Sequence, residues 1–414
     1  VTPERSQPQD PMRGLGANER ALIERVRWKS GRHLAARVVR AKMRLQFTGW
    51  LQYLLPIPII ALLAMLAGLS WLAGARWLVW AFLGPAGVLT LVAAFDVVTT
   101  KLRIRFPESR PPRLDDLDRF ELLLRRRSCR SFQTRRMTEA DREALLNVVR
   151  TQLAIPTIGR ITPRLEYVAA PLTVWPTVNA SEFLVAIVPA AYDRTPIIDV
   201  GRTLQRVVME ATRMGLATCW IGPGADQRSI AAHLGDRFDP RADHIVCVCA
   251  VGYRSRYIPL FIRLFNHQMS PRRLPRSELF FADETLEQAI DTTAPPLLRF
   301  DRAWEACRWA PSSYNGQTTR AIVETDADGC IDALHFLTVT DSRYYAPVAL
   351  GIWCANWELA CEALGERGVF MSAVGLVDGH RPVDVTWRPI RDAGARPENR
   401  ARPAYRSVSI RTDG

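Results

Sequence analysis

Hydrophobic and polar positions divide the chain into three regimes. In the first, Leu22, Val26, Leu34, Val38 and Met43 recur at roughly helical spacing among Arg20, Arg25, Arg27, Lys29, Arg37, Arg40 and Lys42. That pattern predicts a basic amphipathic helix over residues 18–45, of the kind that lies along a membrane surface. In the second, no charged residue occurs from Trp50 to Leu72, and a further apolar run extends from Trp77 to about Val98 with only Asp96 near its end. Each run forms about 30 Å of helix at 1.5 Å per residue, enough to cross a bilayer core. Trp50, Tyr53, Trp71, Trp77 and Trp80 stand near the ends, where interfacial aromatics sit. Pro56, Pro58 and Pro85 are expected to kink the helices.

The third regime follows a Pro- and Arg-rich linker, IRFPESRPPRLDD, residues 104–116. Helical and alternating periods are now mixed. Helices are expected over Glu139–Gln152, Val200–Met214, Leu286–Asp291, Asp301–Trp309 and Pro347–Leu364. Strands are expected in LEYVAAPLTV (165–174), EFLVAIVPA (182–190), HIVCVCAVGY (244–253), RAIVET (320–325), ALHFLTV (333–339) and VFMSAVGLV (369–377). The order repeats itself. DVGRTLQRVVMEATRMGLATCWIG and ALGIWCANWELACEALGERGVFMS each pair a small residue with Gly at the start, and each stops at a glycine (Met214-Gly215, Leu364-Gly365) before a strand. The expectation is an α+β fold of two tandem halves behind a two-helix transmembrane hairpin. Its segments are a basic amphipathic region 1–48, the hairpin 49–100, a linker 101–116, half 1 over 117–282, half 2 over 283–392 and a tail 393–414.

Charge sharpens this picture. The net charge is +13, yet residues 1–110 hold 16 Lys+Arg and 6 Asp+Glu, so +10 belongs to the membrane-like portion and +3 to the remainder. Basic residues concentrated beside apolar helices fit an anionic lipid surface, and without a nucleic-acid-binding motif no nucleic-acid partner is expected. Both flanks of the hairpin are basic and the connecting loop holds one Arg, which places both ends in the cytoplasm of a cell-membrane protein. The eight cysteines show no C-x-x-C and no metal-ligand spacing, so reduced buried thiols and no metal are expected. Beyond Lys101 every permanent cation is an Arg, which leaves no Schiff-base lysine.

Two short stretches carry chemistry. RRRSCRSF (125–132) puts four arginines on one short turn, an arrangement that is costly to hold without an anion. APSSYNGQ (310–317) follows a helix and offers short polar side chains after a proline. Together, in this order, the two resemble the hallmarks of the nitroreductase family of FMN enzymes. In that family each flavin lies at a dimer interface, with the arginine motif from one subunit and the Ser/Asn motif from the other. Here half 1 keeps the arginines but reads AIPTIGRITPRLEYV at the place of the Ser/Asn motif. Half 2 keeps APSSYNGQ but begins EQAIDTTAPPLLRF. The losses are complementary, so the chain resembles a fused dimer, similar to the tandem branch called "putative TM nitroreductase" and to membrane-tethered relatives such as iodotyrosine deiodinase, with one flavin site left.

The resemblance implies roles. Arg126 and Ser128 match the contacts to the FMN phosphate, Arg127 is expected among the cofactor-binding residues, and Arg130 matches the cation at the flavin N1–C2=O edge, which raises the potential. Arg273, then Arg272, match a late basic motif that closes on the same phosphate. Pro311, Ser312, Ser313, Asn315 and Gln317 match the partner-subunit contacts to ribityl and ring. Gly222 or Gly224 is expected to supply the backbone N–H for flavin N5. No side chain need act as a catalytic nucleophile. The implied activity is ping-pong hydride transfer from NAD(P)H through FMN to a nitroaromatic, quinone or related small-molecule acceptor. The alternative is a flavin-storing protein of the same fold. Fusion removes the need for a dimer, and the hairpin leaves homo-oligomerisation open.

Overall fold

In the computed structural model, residues 28–172, 174–222, 225–268, 272–373 and 383–391 are described, together with Ile23, Arg25 and Val26. Helix α1 spans Lys29–Thr48 and ends at Gly49 in the left-handed conformation. The apolar spacing predicts a start at residue 18; Trp28 is extended immediately before α1, Ile23 is helical, and residues 18–22, 24 and 27 lie outside the described residues. Two apolar helical stretches follow. The first is α2, Leu51–Leu54, and α3, Ile57–Leu72, with the break at Pro56. The second is α4, Arg76–Asp96, extended by a π turn Val97–Lys101. Both stretches, Leu51–Leu72 and Arg76–Lys101, are long and apolar enough to cross a membrane. Their apolar side chains, Ile59, Met65, Leu69, Trp80 and Leu91 among them, are exposed. A hydrogen bond of 2.8 Å between Tyr53 Oη and Thr100 Oγ1 closes the base of the hairpin.

The linker is tied down rather than loose. Arg105 forms a buried ion pair with Glu108 at 3.3 Å and donates to the Phe132 carbonyl, and Leu114 N donates to Arg213 O. Helix α5 (Arg119–Arg125) starts at a capping box between Asp118 and Glu121, and α6 (Glu139–Leu153) starts at Thr138, whose hydroxyl accepts from Asp141 N.

An antiparallel sheet has the order β1-β2-β4-β3: β1 Arg164–Ala169, β2 Glu182–Pro189, β3 Ala217–Ile221 and β4 Asp243–Gly252. β1 stops at Ala169, short of the expected 174, and Pro171 cannot donate to a ladder there. Strand β2 is buried on both faces, and its period of two divides it. Leu184, Ala186 and Val188 join one core; Phe183, Val185 and Ile187 join another. Between β2 and β3 runs α7, Arg194–Arg213, which begins six residues before the expected Val200. Asp193 caps it, and Pro196 sits in the first turn, where a missing N–H costs nothing. The pattern reading missed α8 (Gln227–Leu234) and α9 (Leu260–Gln268).

A second sheet has the order β5-β6-β7-β9-β8: β5 Phe280–Phe281, β6 Thr319–Thr325, β7 Ile331–Thr338, β8 Gly368–Ser372 and β9 Val385–Pro389. β8 ends at Ser372, and residues 374–377 of the expected strand lie outside the described residues, as does the tail 393–414. The expected helix Leu286–Asp291 does not form. Asp283 instead accepts from Gln288 N at 2.8 Å in a local turn, and Leu286 has φ 60°. Helix α10 spans Asp301–Arg308 and α11 spans Tyr345–Ala363. Trp304, Trp353, Trp357 and Trp387 fill the core of this half, and Phe120, Leu122 and Leu123 of α5 pack into the same core.

Helices α7 and α11 cross at two glycines. A Cβ on Gly201 would stand 2.2 Å from Val348 O, and one on Gly351 would stand 1.9 Å from Ile198 O. Gln205 donates to Asn356 Oδ1 at 3.0 Å across the same contact. Both helices end at glycines in the left-handed conformation, Gly215 (φ 77°) and Gly365 (φ 75°).

Candidate active site

The arginine stretch links the two cores. Packing of α5 on the tryptophan core fixes the point at which the chain leaves the helix, at Arg126. From there it runs extended along the edge of the first sheet. Cys129 N donates to Thr218 O (2.8 Å), and Val178 N donates to Arg130 O (2.9 Å). In an extended segment alternate side chains face opposite ways. Cys129 enters the sheet's core, while Ser128 and Arg130 face a cavity.

The opposite wall of that cavity is the loop after α10. Pro311, Ser312, Ser313 and Tyr314 line it. The loop is tight, with Tyr314, Asn315 and Gln317 at φ 51°, 55° and 46°, a conformation that non-glycine residues adopt at a cost. Ser312 Oγ accepts from Gln317 N at 2.9 Å, and Asn315 N donates to Ser312 O at 3.1 Å. The loop also holds the late basic segment. Gln317 accepts from Leu274 N (2.9 Å) and donates to Arg272 O (3.1 Å), while Arg273 donates to Ala310 O (2.9 Å). Two motifs separated by 37 to 45 residues at these contacts thus form one unit.

The cavity has a volume of about 300 Å³. Its walls come from two stretches of the chain: Ser128, Arg130, Trp175, Trp220 and Gly222 on one side, Pro311 to Tyr314, Tyr345, Ala349 and Ile352 on the other. Its polar character is one-sided. Arg130 Nε, Trp175 Nε1 and Trp220 Nε1, on residues that line it, are buried donors without a hydrogen-bond partner; Arg126 Nη1 and Arg273 Nε are unpartnered as well, on residues outside its lining. Arg127 and Arg273 both stack on the Trp309 ring, at 5.2 and 5.4 Å. Burial, then the neighbouring Arg127 and Arg273, lowers the Arg126 guanidinium to about 10. Burial, then Arg127 and Arg308, lowers Arg273 to about 10 as well. Among the described residues no carboxylate forms an ion pair with Arg126, Arg127, Arg130 or Arg273. A set of buried donors and strained cations is what an oxygen-rich anion would satisfy.

Most of the residues expected from sequence come together, but not all in the expected role. Ser128, Arg130, Gly222, Pro311, Ser312 and Ser313 line the cavity, and Arg126, Arg127 and Arg273 cluster by charge and around Trp309. Asn315 and Gln317 do not line it; their side chains brace the backbone of Arg272 and Leu274. The Arg272 side chain is exposed and its carbonyl is the part engaged. Gly224 lies outside the described residues. Trp175, Phe265, Tyr344 and Tyr345 were missed, although Phe261 and Phe265, four apart, form a legible helical pair. The buried cysteines are inert: burial raises Cys129 and Cys247 to about 12.

A family model described as "Putative TM nitroreductase" matches residues 118–361. No curated protein matches the chain. Similar solved structures include a "putative nitroreductase" from Thermotoga maritima, 17% identical, covering 69% of this chain and 97% of its own, with a TM-score of 0.41. A nitroreductase family protein from Clostridium difficile is 22% identical and covers 38% of this chain and 94% of its own, with a TM-score of 0.29. A nitroreductase with bound FMN from Bacteroides fragilis is 17% identical and covers 34% and 89%, with a TM-score of 0.28.

Proposed function

The chain belongs to the nitroreductase family whose model it matches over residues 118–361, and on that premise we propose that it is a membrane-tethered FMN oxidoreductase that uses NAD(P)H to reduce a nitroaromatic, quinone or related conjugated acceptor. The observation that carries this reading is the set of buried, unpartnered donors around a cavity built from both halves. Arg126, Arg127 and Arg273 would hold the phosphate, with Ser128 as a further donor. Arg130 would lie beside the ring, and Ser312 and Ser313 would face it from the other half. When bound, FMN supplies a two-electron carrier that takes hydride from a nicotinamide and passes it to the acceptor. The residues of the chain bind, orient and exclude water. Trp175, Phe265 and Tyr345 supply flat apolar walls, and Arg130 keeps a fixed positive charge within them.

A fused pseudo-dimer with one surviving site accounts for a second set of facts. Superposing the helix sequences at Gly201 and Gly351 sets Asp199 opposite Ala349 and Arg202 opposite Ile352. Ala349 and Ile352 line the cavity. Their counterparts are occupied by the protein itself. The Asp199 carboxylate, fully buried, accepts from Ile158 N (2.8 Å) and Gly159 N (2.9 Å), and Arg202 forms a fork with Glu358 (3.0 and 2.6 Å). Ile158 and Gly159 belong to AIPTIGR, the stretch at the place of APSSYNGQ. A buried carboxylate on those N–H groups takes the donors that a second anionic ligand would need and sets a like charge beside it. The hairpin, with its apolar side chains outward, would anchor the enzyme in the cell membrane with the catalytic part on the cytoplasmic side.

The test is turnover. Purified protein should show NADH or NADPH oxidation that depends on a quinone or nitroaromatic. Bound FMN that neither nicotinamide can bleach would replace this reading with flavin storage. A finer outcome concerns Gly222, whose added Cβ would stand 2.9 Å from Tyr345 Cε1. The Tyr345 ring is half-exposed and can yield. Gly222→Ala should therefore keep the melting temperature within about 2 °C while raising the acceptor KM several-fold, because the yielding ring moves into the cavity.

A further inference from the structure

Helix α9 touches the hairpin at one end and the cavity at the other. At its start, Leu260 N donates to Asp96 Oδ2 at 2.6 Å, and Asp96 is a buried carboxylate at the end of α4. The rings of Phe95 and Tyr257 meet beside this contact at 6.4 Å. Along its inner face, Phe261 and Phe265 pack on Trp175 with centroids at 6.0 and 5.8 Å. Near its far end, Asn266 Oδ1 accepts from Arg130 Nη1 at 2.7 Å, and the Arg130 guanidinium lies over the Phe265 ring at 5.0 Å. Arg130, Trp175 and Phe265 all line the cavity. One turn-and-a-half of rigid helix therefore connects an apolar hairpin to the cation of the site.

We propose that α9 couples the hairpin to the cavity: Asp96 seats the start of the helix, and Asn266 positions Arg130. The choice of acceptor on α9 supports this. A neutral amide oxygen fixes the direction of the guanidinium without cancelling its charge, whereas a carboxylate would fix it and neutralise it. Of the other two nitrogens, Nε is buried without a hydrogen-bond partner. Asp96 is similarly specific, since it is a lone acid in an apolar run and its carboxylate oxygen is spent on the first N–H of α9. Displacement of α4 would move that N–H, and α9 would carry the shift to Phe265 and Asn266. Asp96 and Asn266 are positioning residues that act through Arg130, and the potential arm of the test rests on the flavin reading.

The test uses the full chain in lipid nanodiscs and reads two quantities, the midpoint potential of bound FMN and amide hydrogen exchange of residues 260–268 and 128–132. Asn266→Asp should lower the stabilisation of reduced over oxidised flavin about tenfold, about 30 mV for a two-electron couple. Asn266→Ala should give a smaller fall in the same direction. Asp96→Leu should leave the hairpin apolar, speed exchange in 260–268 at least tenfold and lower the potential. Leu260→Pro removes the same hydrogen bond from the other side, at a first helical position that tolerates proline, and serves if Asp96→Leu does not fold. Unchanged potentials in both Asn266 variants would overturn the positioning role. Unchanged exchange and potential in the Asp96 and Leu260 variants would overturn the coupling. A wild type that binds no flavin would sink the flavin reading alone, and exchange in 260–268 and 128–132 would still decide the coupling.

Discussion

Arg126→Met is expected to weaken FMN binding about 30- to 1,000-fold and, at the same time, to raise the melting temperature of the flavin-free protein. The first effect follows from removing one partner of a buried charged hydrogen bond, a loss of about 2–4 kcal/mol. The second follows from the cation cluster. Arg126 is 7% exposed, and burial with Arg127 and Arg273 nearby holds its guanidinium at about 10. For a base lowered on folding, the cost is fully present below the folded value and is relieved only as pH rises through it towards the unfolded one. At neutral pH the flavin-free protein therefore carries an unfavourable contribution of order 3 kcal/mol at this residue. A methionine of similar length removes it, and the gain should read as a few °C. Fluorescence titration with FMN and calorimetry of the apoprotein measure the two effects. A variant that binds FMN like wild type and melts no higher would show that the arginines are satisfied within the protein.

The second large effect is expected at the crossing of α7 and α11. The Cβ of an alanine at 351 would meet Ile198 O at 1.9 Å, Arg202 N at 2.8 Å and Gly201 Cα at 2.9 Å. All three atoms are backbone, so no side chain can rotate aside. Gly351→Ala should cost of order 3 kcal/mol or more, above the usual penalty for overpacking. Gly201→Ala, facing Val348 O at 2.2 Å, should cost a similar amount. The double variant should cost less than the sum, because one forced separation of the helices makes room for the second methyl group. Val348, Ala349 and Ile352 of the same turn line the cavity, so FMN affinity should fall with stability. Urea denaturation of the two single variants and the double variant reads the coupling. Small, additive losses would contradict a close helix crossing at these glycines.

What the sequence discloses and what it hides divide along physical lines. Long-period signals were legible: the two apolar runs, the doubly buried β2 and β4, and the glycines that stop α7 and α11. The two motifs of the site were legible because their chemistry is local, several cations in one and short polar groups after a proline in the other. Short elements set by tertiary contacts were not. The Phe261/Phe265 spacing marks α9 as helical, but nothing local shows that it joins Asp96 to Arg130, and β9 forms because β7 and β8 flank it. Leu286–Asp291 has helical composition, yet the Asp283 side chain takes its N–H groups into a turn. Asn315 and Gln317 are polar residues in a binding motif, and polarity alone does not say whether a side chain faces a ligand or, as here, holds the neighbouring chain at Arg272 and Leu274.

One composite flavin site per chain is read most directly from the visible spectrum of the detergent-purified protein, with the heat-released cofactor identified and counted. The spectrum should show an oxidised-flavin band at about 450 nm and a single FMN per chain, retained less well by Arg126→Met. Two FMN per chain would contradict the self-filled twin around Asp199, and a colourless protein that takes up no added FMN would contradict the site itself.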